Sequence, residues 1–166
     1  MKFRRIEAVF MKQIKDTLKN KTALIQFVLF PLLAFILTET IAKSDKFLPD
    51  NYFVLLFAIM YVGMVPAINT ASIITEEKEK NTLRILMLAN VRPLEYLIGV
   101  GSYVFIVSSI GAVAFGFIGG YSGAQLGLFI IVLMVGILGS LILGSAIGIL
   151  AKNSTSSAGH VLPASM

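Results

Sequence analysis

Residues 126–151 read LGLFIIVLMVGILGSLILGSAIGILA, a run without one charged side chain. As a helix rising 1.5 Å per residue it is about 39 Å long, more than the ~30 Å hydrocarbon thickness of a bilayer. It reads as a membrane span. Three further runs share its character: TALIQFVLFPLLAFILTETIA at 22–42, YFVLLFAIMYVGMVPAINTASIIT at 52–75 and LEYLIGVGSYVFIVSSIGAVAFGFIGG at 94–120. Of the 166 residues 57% are hydrophobic and 14% charged, and mean hydropathy is +0.87; soluble domains carry about 25% charge. Each apolar run in lipid satisfies its own backbone only as a helix. The expected fold is therefore all-α, a polytopic membrane helix bundle with four transmembrane helices in a single domain over residues 1–166. Pro31 and Pro66 fall inside the first two spans, where each removes a helical hydrogen bond and favours a kink.

The cations set the expected orientation. Lys2, Arg4, Arg5, Lys12, Lys15, Lys19 and Lys21 precede the first span, Lys78, Lys80, Arg84 and Arg92 follow the second, and Lys152 follows the fourth. Only Lys43 and Lys46 lie on the other side. By the positive-inside rule the N-terminus is cytoplasmic, in a cell membrane, with residues 43–51 and 121–125 outside. That asymmetry accounts for the net charge of +5 without any nucleic-acid partner.

The same inventory bounds the chemistry. The chain has no cysteine and one histidine, which removes disulfides, thiolate metal sites, cysteine nucleophiles and histidine clusters. His160 stands in a tail of small polar residues and is assigned no role. No pair of carboxylates, no nucleophile beside a base and no phosphate-cradling glycine loop is present, so no catalytic site is visible and no cofactor is expected on the chain.

Two segments outside the spans carry a pattern. In MKFRRIEAVFMKQIKDTLKNK, residues 1–21, Phe3, Ile6, Phe10, Ile14 and Leu18 recur at three and four residues, a stripe flanked by Lys and Arg. Such a helix is expected in the membrane interface with its basic face toward anionic lipid, either as an anchor or as a mechanical element joined to the first span near Asn20. In the loop 76–93, Glu76, Glu77, Lys78, Glu79 and Lys80 are expected to extend the second span as a solvated end. Asn81 or Thr82 then caps a short helix through a side-chain oxygen, Asn90 stops it and Pro93 opens the next span. That helix comprises Thr82, Leu83, Arg84, Ile85, Leu86, Met87 and Leu88, too short to span and apolar enough to invite a soluble partner or to pack beneath the bundle.

Small residues recur at intervals of four in the last two spans: Ser108, Ala112, Gly116 and Gly120, then Gly136, Ser140, Gly144 and Gly148. Each set makes a smooth ridge for close helix packing, within the chain or between copies. Glu39, three residues before the outer end of the first span, reads as a solvated anchor or a coupling carboxylate. Asn69, Thr70 and Ser72 either line a polar path or bond helix to helix.

The order of a basic amphipathic entry helix, a span, a second span ending in a charged cluster, a short apolar helix and glycine-rich spans resembles the permease subunits of ABC type-2 exporters. Their usual run is an acidic-basic cluster, then Gly-Thr-Leu, a hydrophobic helix and a leucine-rich span. Here the run is Glu76-Glu77-Lys78-Glu79-Lys80-Asn81-Thr82-Leu83, then the helix, then Pro93-Leu94-Glu95-Tyr96-Leu97, with Asn81 where glycine is commoner. The resemblance implies a coupling helix at 82–88 docked on a separate ATP-binding subunit that carries the ATP, and two permease halves, identical or homologous, enclosing the path of a substrate not named by the sequence. Because such permeases have six spans and VLPASM at 161–166 opens another apolar run, a chain holding the first four spans is expected. A four-span proton-coupled carrier of the small multidrug-resistance type using Glu39, and a non-transporting scaffold or immunity protein, are the competing classes.

Overall fold

A computed structural model describes residues 3–19, 21–42, 49 and 51–151. Asn20, most of the 43–51 loop, Lys152, His160 and residues 161–166 lie outside the described residues. Every regular element described is helical: α1 (Phe3–Lys19), α2 (Lys21–Leu37) continued by a π-helical turn (Thr38–Ala42), α3 (Tyr52–Glu79), α4 (Thr82–Leu88), α5 (Pro93–Ile118) and α6 (Gly123–Leu150). Four helical stretches are long and apolar enough to cross a bilayer, Ile25–Ala42, Tyr52–Glu79, Pro93–Ile118 and Gly123–Leu150. Over the described residues the chain is an all-α membrane bundle with four candidate spans.

α3 is its centre. Tyr61, fully buried, stacks edge-on against Phe30 of α2 and Phe115 of α5 at ring separations of 6.2 and 5.3 Å, and its hydroxyl donates to the Ser108 carbonyl at 3.2 Å. The ring lies directly against Gly111, where a Cβ would collide with it. On its other side α3 packs along α6. A Cβ on Gly136 would come within 2.5 Å of Val62 Cγ1, one on Gly144 within 2.5 Å of the Ala67 carbonyl oxygen, and one on Gly148 within 2.9 Å of Ile74 Cβ. Between them the Ser140 hydroxyl donates to the Val62 carbonyl at 2.6 Å. The α6 ridge is therefore an internal seam, which lets two backbones approach closely enough for dispersion and a cross-helix hydrogen bond to hold them.

The α5 set divides. Ser108 and Ala112 are fully buried and Gly116 lies under Leu126 at the α5–α6 hairpin, but Gly120 is not part of a ridge. It has φ +66°, lies beyond the helix and has no neighbour where a Cβ would stand. Its N–H bonds Phe117 O at 3.1 Å and that of Tyr121 bonds Gly116 O at 3.3 Å, so Gly120 is the left-handed residue that ends α5. Asn69 bonds helix to helix: its amide donates to Gln26 Oε1 of α2 at 3.2 Å and to Val65 O at 2.9 Å.

The turns around α4 follow the same chemistry. Asn90, at φ 62°, is the left-handed residue after the helix, with its N–H bonding Met87 O at 3.0 Å and that of Val91 bonding Leu86 O at 3.1 Å. Asn81 precedes the helix at φ 55° and makes no side-chain capping bond, so the expected cap is replaced by a backbone demand that only Gly and Asn meet cheaply. Asn81→Gly should leave α4 intact. Asn81→Val should cost about 1–2 kcal/mol, read as faster hydrogen exchange at the α4 amides.

Candidate functional site

One end of the bundle gathers α1, the charged end of α3, α4, the start of α5 and the end of α6. The charged cluster that closes α3 is helical through Glu79 but is not simply a solvated end. Glu77 is 6% exposed, and its Oε1 accepts from Lys12 Nζ at 2.7 Å and Gln13 Nε2 at 2.5 Å, both on α1. The buried Tyr96 hydroxyl of α5 faces the same carboxylate. One residue on, Lys78 points toward α6 and donates to the carbonyls of Ile149 and Ala151, each at 2.7 Å. A cation there satisfies carbonyls left orphaned at a helix C-terminus and complements its dipole. Glu76 and Lys80 pair with each other on the exposed side.

α5 begins with Pro93 as its first residue, and Glu95, 1% exposed, turns back to accept the Arg92 N–H at 3.2 Å. Arg5 of α1 reaches Glu95 Oε2 at 3.5 Å and also donates to the Asn90 carbonyl just past α4. Between these anchors α1 lies on α5. Val9 fits against Gly99, where a Cβ would stand 2.8 Å from Val9 Cβ, and Phe10 meets Tyr103 edge-on at 6.3 Å. The α1 cations Arg5 and Lys12 therefore face protein carboxylates, where the sequence placed the basic face against lipid. Arg4 and Lys15 remain exposed.

α4 hangs between these ties. Leu83 and Leu86 pack against the core, while Ile85 is 63% and Leu88 78% exposed; Arg84 is exposed beside them. Met87 is 37% exposed and shares a pocket of about 140 Å³ with Ile74, Lys78, Leu83 and Tyr96. Thr82 opens the helix at intermediate exposure. The fold uses Leu83 and Leu86 to seat the helix and leaves Ile85 and Leu88 outward.

A family model described as ABC-2 type transporter matches residues 4–164, nearly the whole chain and all of this arrangement. The chain belongs to that family. It is a transporter permease and a multi-pass membrane protein. Comparison with curated proteins and with solved structures gives no match.

Several site residues of the ABC-2 permease were not legible beforehand. Val9, Gln13 and Gly99 belong to no sequence motif, and only the contact of α1 with α3 and α5 singles them out. Glu95 carried a usable signal, a carboxylate within an apolar run and three residues after Arg92. Among the described residues no group of His, Asp and Glu is arranged to hold a metal ion. Glu39 is exposed in the π-helical turn at the far end of α2, away from the α1–α4 assembly.

Proposed function

We propose that this permease is the membrane subunit of an ATP-driven exporter and that α4 is its coupling helix, docked on a separate ATP-binding subunit where ATP is bound and hydrolysed. The observation that carries the reading is the division of α4, with Leu83 and Leu86 seating it and Ile85 and Leu88 projecting beside Arg84. Exposed apolar side chains between charged groups are costly in water and favourable in a partner's groove. The cation asymmetry puts α1 and α4 on the cytoplasmic side of a cell membrane, the compartment in which an ATPase meets ATP. A second copy or a homologous permease completes the path of the substrate. Closure of the ATPases on ATP then favours one arrangement of the spans over another through differential contact with α4.

The test is purification of the tagged permease from its native membranes in mild detergent. Recovery of an ATP-binding subunit and vanadate-sensitive ATPase activity is expected, and recovery of the permease alone would count against the assignment. Glu39, exposed at the far end, is read as an anchor. Glu39→Gln should leave the ATPase rate of the complex within about twofold of wild type, the range expected of a surface change. Transport that follows the proton gradient and disappears in this variant would instead favour a carrier.

A further inference from the structure

α3 and α5 are joined at this end by α4 and its turns, and α1 touches α3, α5 and the turn just past α4. Arg5, Val9 and Lys12 follow one another at four- and three-residue spacing, one face of a helix over two turns, with Gln13 beside them. The two polar anchors on this face hold different helices. Lys12 and Gln13 hold Glu77 at the end of α3, whereas Arg5 holds Glu95 at the start of α5 and the Asn90 carbonyl in the turn just past α4. Glu77 and Glu95 bracket α4 in sequence, so one rigid helix spans the two ends of the α3–α4–α5 hairpin. Buried carboxylates hold such ties in one geometry, because a displaced partner leaves an uncompensated charge in a low-dielectric site.

We propose that α1 is a cross-brace that makes α3, α4 and α5 a single rigid body at this end, with Arg5, Lys12 and Gln13 as its positioning residues. A push on α4 then moves the end of α3 and the start of α5 together and carries α1 with them, and is not dissipated in separating α3 from α5. The inference rests on the docking reading for the origin of the push, but the brace itself is a property of the permease alone.

The chain has no cysteine, so single cysteines introduced at Met11 and Lys80, both exposed, can be spin-labelled without background. In the permease alone, in lipid nanodiscs, pulsed electron resonance should give one narrow α1–α3 distance. Lys12→Ala with Gln13→Ala should lose that narrow peak, and the charge exchange Lys12→Glu with Glu77→Lys should restore it. A peak unchanged in Lys12→Ala/Gln13→Ala would overturn the proposal, since apolar packing of Val9 and Phe10 would then suffice. In the complex with its ATPase, the wild-type distance should be the same without nucleotide and after trapping with ATP and vanadate; a nucleotide-dependent shift beyond the peak width would also overturn it. Failure of the ATPase to copurify would defeat the docking reading while the measurements on the permease alone still decide the brace.

Discussion

Ile85→Asp or Leu88→Asp should abolish association with the ATP-binding subunit while the four spans remain inserted and the bundle remains folded. Both side chains project from α4 at 63% and 78% exposure, so neither substitution removes a contact that holds the permease together. The local cost is a difference in helix propensity of about 0.5 kcal/mol. At a docked interface the balance is different. Truncating a central apolar anchor typically costs about 2–4 kcal/mol, on the order of 30- to 1,000-fold in affinity, and a carboxylate adds desolvation to that. Leu83→Asp and Leu86→Asp are the informative contrast, because these residues pack against the core. They should lower the thermal stability of the isolated permease as well as its association. Copurification of the ATPase together with a melting curve for the permease separates the two effects. An ATPase that stays bound to both the Ile85 and Leu88 variants would show that docking occurs elsewhere.

The second large effect is expected at the α3–α6 seam, where Gly144→Leu should prevent a stable bundle. The Cβ at this position would stand 2.5 Å from the Ala67 carbonyl oxygen and 2.8 Å from its Cα. Those are backbone atoms of a packed helix and cannot rotate aside, as Val62 can from Gly136. Overpacking of this kind costs about 3 kcal/mol or more, enough to separate α6 from α3. Gly139, on the same helix, has no neighbour within 4 Å of its Cβ position. Gly139→Ala should be neutral or stabilising by up to about 1 kcal/mol through helix propensity alone. Thermal denaturation monitored by size exclusion in detergent compares the pair directly; a Gly144→Leu protein as stable as wild type would refute the close approach.

The two substitutions also mark how far the sequence reaches. Gly144 and Gly139 are equally glycine in the same uncharged run, and the four-residue spacing of Gly136, Ser140, Gly144 and Gly148 did pick the buried ridge from the open positions. The same spacing failed at Gly120, because a helix had already ended there and the residue is required for its positive φ. The α4 segment was legible as a helix because its boundaries depend on nearby residues: two asparagines at its ends and a proline three residues beyond Asn90, at the first turn of α5. Which of its leucines face outward was not, because a helix of seven residues presents apolar groups all round and only its neighbours select a face.

The sequence by itself determined the all-α class, the four spans and the concentration of cations toward one side. These follow from hydrophobic length against bilayer thickness and from charge counted along the chain, quantities that need no knowledge of a neighbour. Only the tertiary structure decided that Glu77 is buried while Glu76 is only half-buried, that Lys78 closes α6, that Arg5 and Lys12 serve carboxylates of α5 and α3, and that Val9 meets Gly99. Each depends on how far a helix is rotated about its own axis and on what lies opposite. That rotation is set by close packing and by the need to pair buried charge, and both are properties of the assembled bundle.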